Sequence, residues 1–141
     1  MRAKYDALQI ANEIILTAKE NHQNITNLQL QKILYYIQGN FMRVFGYKAF
    51  NEKILCWDYG PVIEDVWHKY NIYGRSPLSP DNNEHICSKQ EINLITDVVS
   101  EKLALNIWKM VDDTHNEYPW KNANDNNRTV IFDEDMEKQF C

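Results

Sequence analysis

Ile25-Thr26-Asn27-Leu28-Gln29-Leu30-Gln31-Lys32-Ile33-Leu34-Tyr35-Tyr36 holds the clearest helix start in the chain, and the fold is read outward from it. Thr26 and Gln29 form a T-x-x-Q capping box, in which each side chain takes a backbone N–H that the first helical turn leaves unbonded. Ile25 before the cap and Leu30 after it are spaced as a hydrophobic staple. Apolar residues then recur at Leu30, Ile33, Leu34, Ile37, Phe41, Val44 and Phe45, a stripe at helical spacing, and Gly46 can supply a left-handed stop. The pattern predicts a long, central helix.

Upstream, Asp6 is placed to cap a first helix carrying Leu8, Ile10, Ala11, Ile14, Ile15 and Ala18, which ends between Glu20 and Asn24. Downstream, the helical period is lost from Tyr47 to Tyr59. Ile54-Leu55-Cys56-Trp57 is a short apolar run whose length fits either an extended segment or a buried turn. Gly60-Pro61 reads as the start of a third helix, with Pro61 at the first helical position and Glu64 and Asp65 at the positive end of the dipole. Val62, Ile63, Val66, Trp67 and Tyr70 give that helix its apolar face, and Gly74 ends it. Arg75 to Glu84, with Pro77 and Pro80, is a surface loop. Ser88 and Glu91 make a second capping box ahead of Ile92, Ile95, Val98 and Val99. Leu103, Ile107, Trp108 and Val111 continue the pattern into a further helix, with the junction near Ser100 left open. After a polar stretch from Lys121 to Arg128, Asp133 is placed to cap a short segment over Met136 to Phe140. The expected fold is predominantly all-α: a compact bundle of about five to seven helices, with an extended segment near 54–57 left open.

A chain of 141 residues suits one domain over 1–141. Its 44% hydrophobic and 25% charged content is that of an ordinary globular protein. The net charge of −5 repels phosphate backbones and favours a basic partner surface, so nucleic acid is disfavoured as a ligand of the chain as a whole. Cys56, Cys87 and Cys141 are odd in number and share no CxxC spacing, as expected of free thiols in a reducing, cytoplasmic compartment. The N-terminus lacks the apolar stretch of a signal peptide, and no run is long enough to span a membrane.

His115-Asn116-Glu117 brings two catalytic or ligand types close together in the sequence. It matches the H-x-E half of zinc deaminases, but the P-C-x-x-C half is absent. HExxH, Gly-rich phosphate loops and G-x-S-x-G elbows are absent too, and no cofactor is implied. His115 and Glu117 are therefore read first as local hydrogen-bonding groups that fix the turn into Pro119-Trp120. A metal-dependent enzyme using the pair is the alternative from another class. Gln31 and Lys32 beside Tyr35 and Tyr36 suit a partner-facing surface as well as a buried one in which Gln31 is satisfied internally and Lys32 snorkels. Trp57, Tyr59, Trp67, Tyr70, Tyr73, Trp108, Tyr118 and Trp120 are many aromatics for this length, and such residues serve both cores and interface anchors.

Taken in order, Tyr5-Asp6-Ala7-Leu8 with Ile10-Ala11-Asn12, Ile25-Thr26-Asn27-Leu28 with Leu30 to Tyr36 and Gln38-Gly39, Trp57-Asp58-Tyr59-Gly60-Pro61-Val62, and Thr114-His115, Glu117 and Pro119-Trp120 resemble the SocA-like antitoxin family. This family is also called the Panacea domain and is related to phage-associated GepA-type proteins. The matching text covers most of residues 5 to 125 and leaves 126–141 outside. The resemblance implies a helical domain that binds and neutralises a toxin encoded beside it, and it brings no catalytic residues. Members resembling SocA deliver the toxin to the ClpXP protease, while others inhibit by complex formation, and the motifs leave the two open. The motif residues that the resemblance makes candidates for partner binding are Gln31, Lys32, Tyr35, Tyr36, Trp57, Tyr59, Gly60, Pro61, His115, Glu117 and Trp120. A phage or mobile-element regulator that binds DNA is a further alternative, and would need a basic face hidden by the acidic average.

Overall fold

Helix α2 (Asn27–Phe45) is the axis of the molecule, and thirteen of its 19 residues are buried. A helix so enclosed would ordinarily be apolar all round. Here the enclosed face includes Asn27, Gln31, Lys32 and Gln38, and each takes a backbone or side-chain partner. The Gln38 amide oxygen accepts from the N–H groups of Ala49 at 2.8 Å and Phe50 at 3.2 Å, and its nitrogen donates to the Phe50 carbonyl at 2.7 Å. The Gln31 oxygen accepts from Ile63 N–H at 2.9 Å, and its nitrogen donates to the Asn27 oxygen at 2.9 Å. Asn27 in turn donates to the Trp67 carbonyl at 3.1 Å. Buried backbone must find partners, and the chain from 49 to 67 finds several of them on α2 side chains in addition to its short ladder.

The computed structural model describes residues 1–141 and places six more helices around this axis: α1 (Ala7–Glu20), α3 (Glu64–Tyr70), α4 (Lys89–Leu103), α5 (Ile107–Asn116), α6 (Tyr118–Asp125) and α7 (Asp133–Phe140). Three short strands, β1 (Ile54–Trp57), β2 (Gly60–Val62) and β3 (Val130–Ile131), form an antiparallel sheet in the order β2-β1-β3. Leu55 faces Val62, Trp57 faces Gly60 and Ile54 faces Ile131. Helices α1, α3, α4, α5 and α7 and strand β2 all contact α2. One hydrophobic cluster runs through the interior, from Ile10 and Ile14 on α1 through Leu34 and Phe41 on α2 to Ile95 and Val99 on α4.

The Thr26–Gln29 and Ser88–Glu91 capping boxes are both formed, and Asp6 with Gln9 makes a third at the start of α1. Gly46 closes α2 in the left-handed region at φ 74°. Other expectations need correction. Gly60 and Pro61 do not open a helix; they lie in strand β2, and α3 begins at Glu64. Pro61 is tolerated because β2 is an edge strand, where a missing N–H breaks no ladder bond. Most of the polar stretch after Lys121 is helical, within α6, while the run 54–57, open between an extended segment and a buried turn, is a strand. Asp133 is the first residue of α7 rather than its cap; Phe132 holds the cap position without a side-chain bond. One residue in each of three apolar stripes is exposed: Leu8 in α1, Val44 in α2 and Trp108 in α5.

Two buried carboxylates tie loops to helices. Glu13 on α1 accepts from the N–H groups of Ile86 at 2.5 Å and Cys87 at 3.3 Å and pairs with His85 Nδ1 at 2.6 Å, while His85 Nε2 reaches Glu20 at 2.7 Å. Burial works against the imidazolium, but the two carboxylates outweigh it and raise the His85 pKa. Glu91 on α4 is fully buried and accepts from Ser88 N–H at 2.7 Å, Tyr5 Oη at 2.6 Å, Tyr47 Oη at 2.5 Å and Lys4 Nζ at 3.0 Å.

Helix α7 is seated on a glycine. A Cβ built at Gly39 of α2 would stand 2.2 to 2.4 Å from the Phe140 ring, which packs edge-on against Tyr35 at 5.5 Å and Tyr36 at 6.2 Å. Gly39→Ala should therefore destabilise the chain by about 1 to 2 kcal/mol, because overpacking outweighs the gain in helix propensity. In a double-mutant cycle read by urea unfolding, Phe140→Ala should remove most of that loss. Additive effects of the two changes would rule the contact out as its source.

Candidate functional site

The motif residues scattered through the sequence converge where the β1–β2 hairpin lies over α2 and meets the α5–α6 corner. Lys32 reaches up from α2 and donates from Nζ to the Pro61 carbonyl at 2.9 Å. Gly60 is held at φ 107° directly above it. A Cβ there would lie 2.7 Å from Thr114 Oγ1 and 3.1 Å from Lys32 Cε, so the strap tolerates only glycine for two independent reasons. On the other side of the hairpin, the Trp120 indole N–H donates to the Trp57 carbonyl at 2.8 Å. Trp120 also stacks on His115, with ring centroids 3.9 Å apart and planes 26° apart.

Below this corner, Glu117 accepts from Tyr35 Oη at 2.8 Å and Tyr36 Oη at 3.0 Å. Burial raises the Glu117 pKa above the usual carboxylate range, and the two tyrosine hydroxyls only partly offset it. Burial and the Glu117 charge push both tyrosines well above their ordinary value, so they remain donors. Lys102 Nζ sits 3.8 Å above the Tyr36 ring as a cation–π contact. Burial pulls the Lys32 pKa down to about 7, with no carboxylate to counter it.

Gln31, Lys32, Tyr35, Tyr36, Gly60 and Pro61 are thus inside the folded chain, and Lys32 does not snorkel to water. His115, Glu117 and Trp120 are partly covered, while Trp57 and Tyr59 are exposed. His115 and Glu117 were expected to bond locally. Instead Glu117 reaches across to α2, and His115 Nε2 is buried without a hydrogen-bond partner. No group of three or more His, Cys, Asp or Glu side chains stands close enough to hold a metal ion, so the H-x-E pair finds no further ligand. The arrangement is a set of tethers that fixes the hairpin and presents its tip outward.

The tip is aromatic. Trp57 packs edge-on against Trp67 of α3 at 5.9 Å, and Tyr59 against Trp108 of α5 at 5.8 Å. The motif reading passed over Trp67, Trp108 and Thr114 as site residues. The available signal for Trp108 was its place just after Asn106, which caps α5 and leaves the indole on the first, outward turn.

No significant match is found among curated proteins or among solved structures. The sequence model of the family described as "Antitoxin SocA-like, Panacea domain" matches residues 30–121. That span runs from the second turn of α2 to the start of α6 and includes the Lys32–Pro61, Glu117–tyrosine and His115–Trp120 contacts. It covers more than half of the 141 residues, and the chain belongs to the SocA-like antitoxin, Panacea domain family.

Proposed function

We propose that this protein is an antitoxin that neutralises a cognate toxin by direct protein–protein binding, in the cytoplasm, with the toxin encoded by an adjacent gene. The family match over residues 30–121 carries the reading. Three features support it. Glu117 is bonded to two tyrosine hydroxyls and His115 is stacked on Trp120, a use of both side chains in holding the fold together. The hairpin tip offers exposed aromatic side chains, the type enriched among binding hot spots. The net charge of −5 favours encounter with a basic partner and opposes binding to DNA. No helix is long and apolar enough to cross a membrane.

The test is growth of cells in which the adjacent gene product is induced with and without this chain, coupled to pull-down of the tagged protein. A stable complex with rescued growth is the expected result; neither complex nor rescue would overturn the reading. Following the toxin by immunoblot during rescue separates masking, in which its level holds, from delivery to ClpXP, in which it falls.

A further inference from the structure

The exposed tip residues do not stand alone. Tyr59, Trp67 and Trp108 join Leu28, Ile107 and Arg75 around a groove of about 490 Å³ between the hairpin, the end of α3 and the start of α5. Tyr59 is 59% exposed and Trp108 is 55% exposed, which is unusual for side chains that large. Their polar atoms are almost entirely donors. The indole N–H groups of Trp67 and Trp108 and the guanidinium of Arg75 can only donate, and none of them has a partner within the chain. Of the side-chain acceptors along the wall, Thr26 Oγ1 and the Gln29 amide oxygen are consumed by the capping box of α2, and the Tyr59 hydroxyl can donate as well as accept. No carboxylate lines the groove, although the chain as a whole is acidic.

We infer that this groove is the toxin-docking site, and that it receives an apolar segment of the toxin carrying a carboxylate that pairs with Arg75. The inference rests on the antitoxin reading and adds to it a place and a chemistry. Apolar walls supply the contact area, and the unpaired donors need acceptors once water leaves. A carboxylate satisfies a guanidinium in two-pronged fashion. Trp, Tyr and Arg are also the three residue types most enriched among energetic anchors. The other sizeable groove, about 510 Å³ between α2 and α4, lacks this character. It too has apolar walls, among them Val44, Phe45 and Leu94, but it carries the carboxylates Asp97 and Glu101, and its Arg43 is already bonded to Asn40.

The experiment is titration calorimetry of the purified full-length chain with the purified product of the adjacent gene, carried in an inactivated form. Trp108→Ala and Tyr59→Ala should each weaken binding by more than about tenfold, the range of a hot-spot truncation. Arg75→Glu should weaken it at least as much, while Arg75→Lys keeps most of the affinity. Val44→Ser, on the α2–α4 groove, should bind as wild type. All of these side chains are exposed, so unchanged melting temperatures separate lost contacts from lost fold. If wild type binds while Trp108→Ala and Arg75→Glu bind equally well, the groove assignment falls and the antitoxin reading stands. If Arg75→Glu binds more tightly than wild type, the partner group is cationic and the carboxylate is refuted. If wild type itself does not bind, both are overturned together.

Discussion

Glu91→Ala is expected to lower the unfolding free energy by about 3 to 5 kcal/mol, the usual consequence of removing one member of a buried charge network. Glu91 holds four donors, the hydroxyls of Tyr5 and Tyr47, the ammonium of Lys4 and the N–H of Ser88, and its side chain is fully enclosed. Burial alone would raise its pKa, but these donors outweigh burial and hold it at about 2, against an ordinary 4.5. A carboxyl whose folded pKa is depressed contributes stability that is present above the unfolded value and lost as pH falls toward the folded one. Wild type should therefore lose stability between about pH 4.5 and 2 through this group, and Glu91→Gln should lack that step. Urea unfolding at pH 7 and pH 3 reads both effects. A gap between wild type and Glu91→Gln that stays constant with pH would show that shape, not charge, explains the residue. The four donors come from three places, the N-terminal segment, the turn after α2 and the start of α4, so losing Glu91 loosens one whole end of the bundle.

Lys32 is the opposite kind of buried charge, and its replacement should act in the opposite direction. It is wholly enclosed and has a single acceptor, the Pro61 carbonyl, with no counter-ion. The fall of its pKa from 10.5 to about 7 corresponds to an order of 4 to 5 kcal/mol against folding when both states are charged. The folded state binds fewer protons than the unfolded one between those two values, so wild-type stability rises with pH from about 7 to 10.5 through this group. Lys32→Met keeps the length of the stem and removes the charge. It should raise stability at pH 7 by about 1 to 4 kcal/mol and flatten the alkaline rise. Thermal or urea unfolding at pH 7 and pH 9 measures both. A Lys32→Met protein less stable than wild type at pH 7 would mean that the bond to Pro61 outweighs the burial of the ammonium. The strap at Gly60 and Pro61 loses its tether in this variant. A more stable chain with a weaker grip on its partner would therefore show that the lysine is kept for the hairpin.

What could be read from the sequence divides by the reach of the interaction. The capping boxes at Thr26–Gln29 and Ser88–Glu91 and the stop at Gly46 were legible because their partners lie within four residues. The short run at 54–57 stayed ambiguous although Trp57 pairs with Gly60 only three residues on, because Pro61 in the returning strand obscures the hairpin and the other partners, Ile131 and Val130, lie far along the chain. Gly60-Pro61 was misread because proline's fixed φ suits both the first turn of a helix and an edge strand. The side chains that decide the matter, Lys32 and Thr114, are far away in sequence. Gln31, Gln38 and Lys32 give no signal at all, since bonds from side chains to remote backbone follow no periodic pattern. The motif string did collect residues that meet in space: Lys32 reaches Pro61, Tyr35 and Tyr36 reach Glu117, and Trp120 joins His115 to Trp57. It did not distinguish the side chains that hold the hairpin from those that face outward, because that distinction depends on burial.

The amide rungs of α2 also determine how the molecule should breathe. The N–H groups of Ala49, Phe50 and Ile63 are bonded to glutamine side chains and not to neighbouring strands. Fraying of the small sheet leaves them protected, and only displacement of the central helix frees them. Their solvent-exchange lifetimes should follow global opening, whereas Leu55 and Ile131 on the short ladder exchange through smaller, local excursions. The stretch that carries the exposed aromatic tip is in this sense hung from the most persistent element of the chain, and remains in place while the strands beside it open and close.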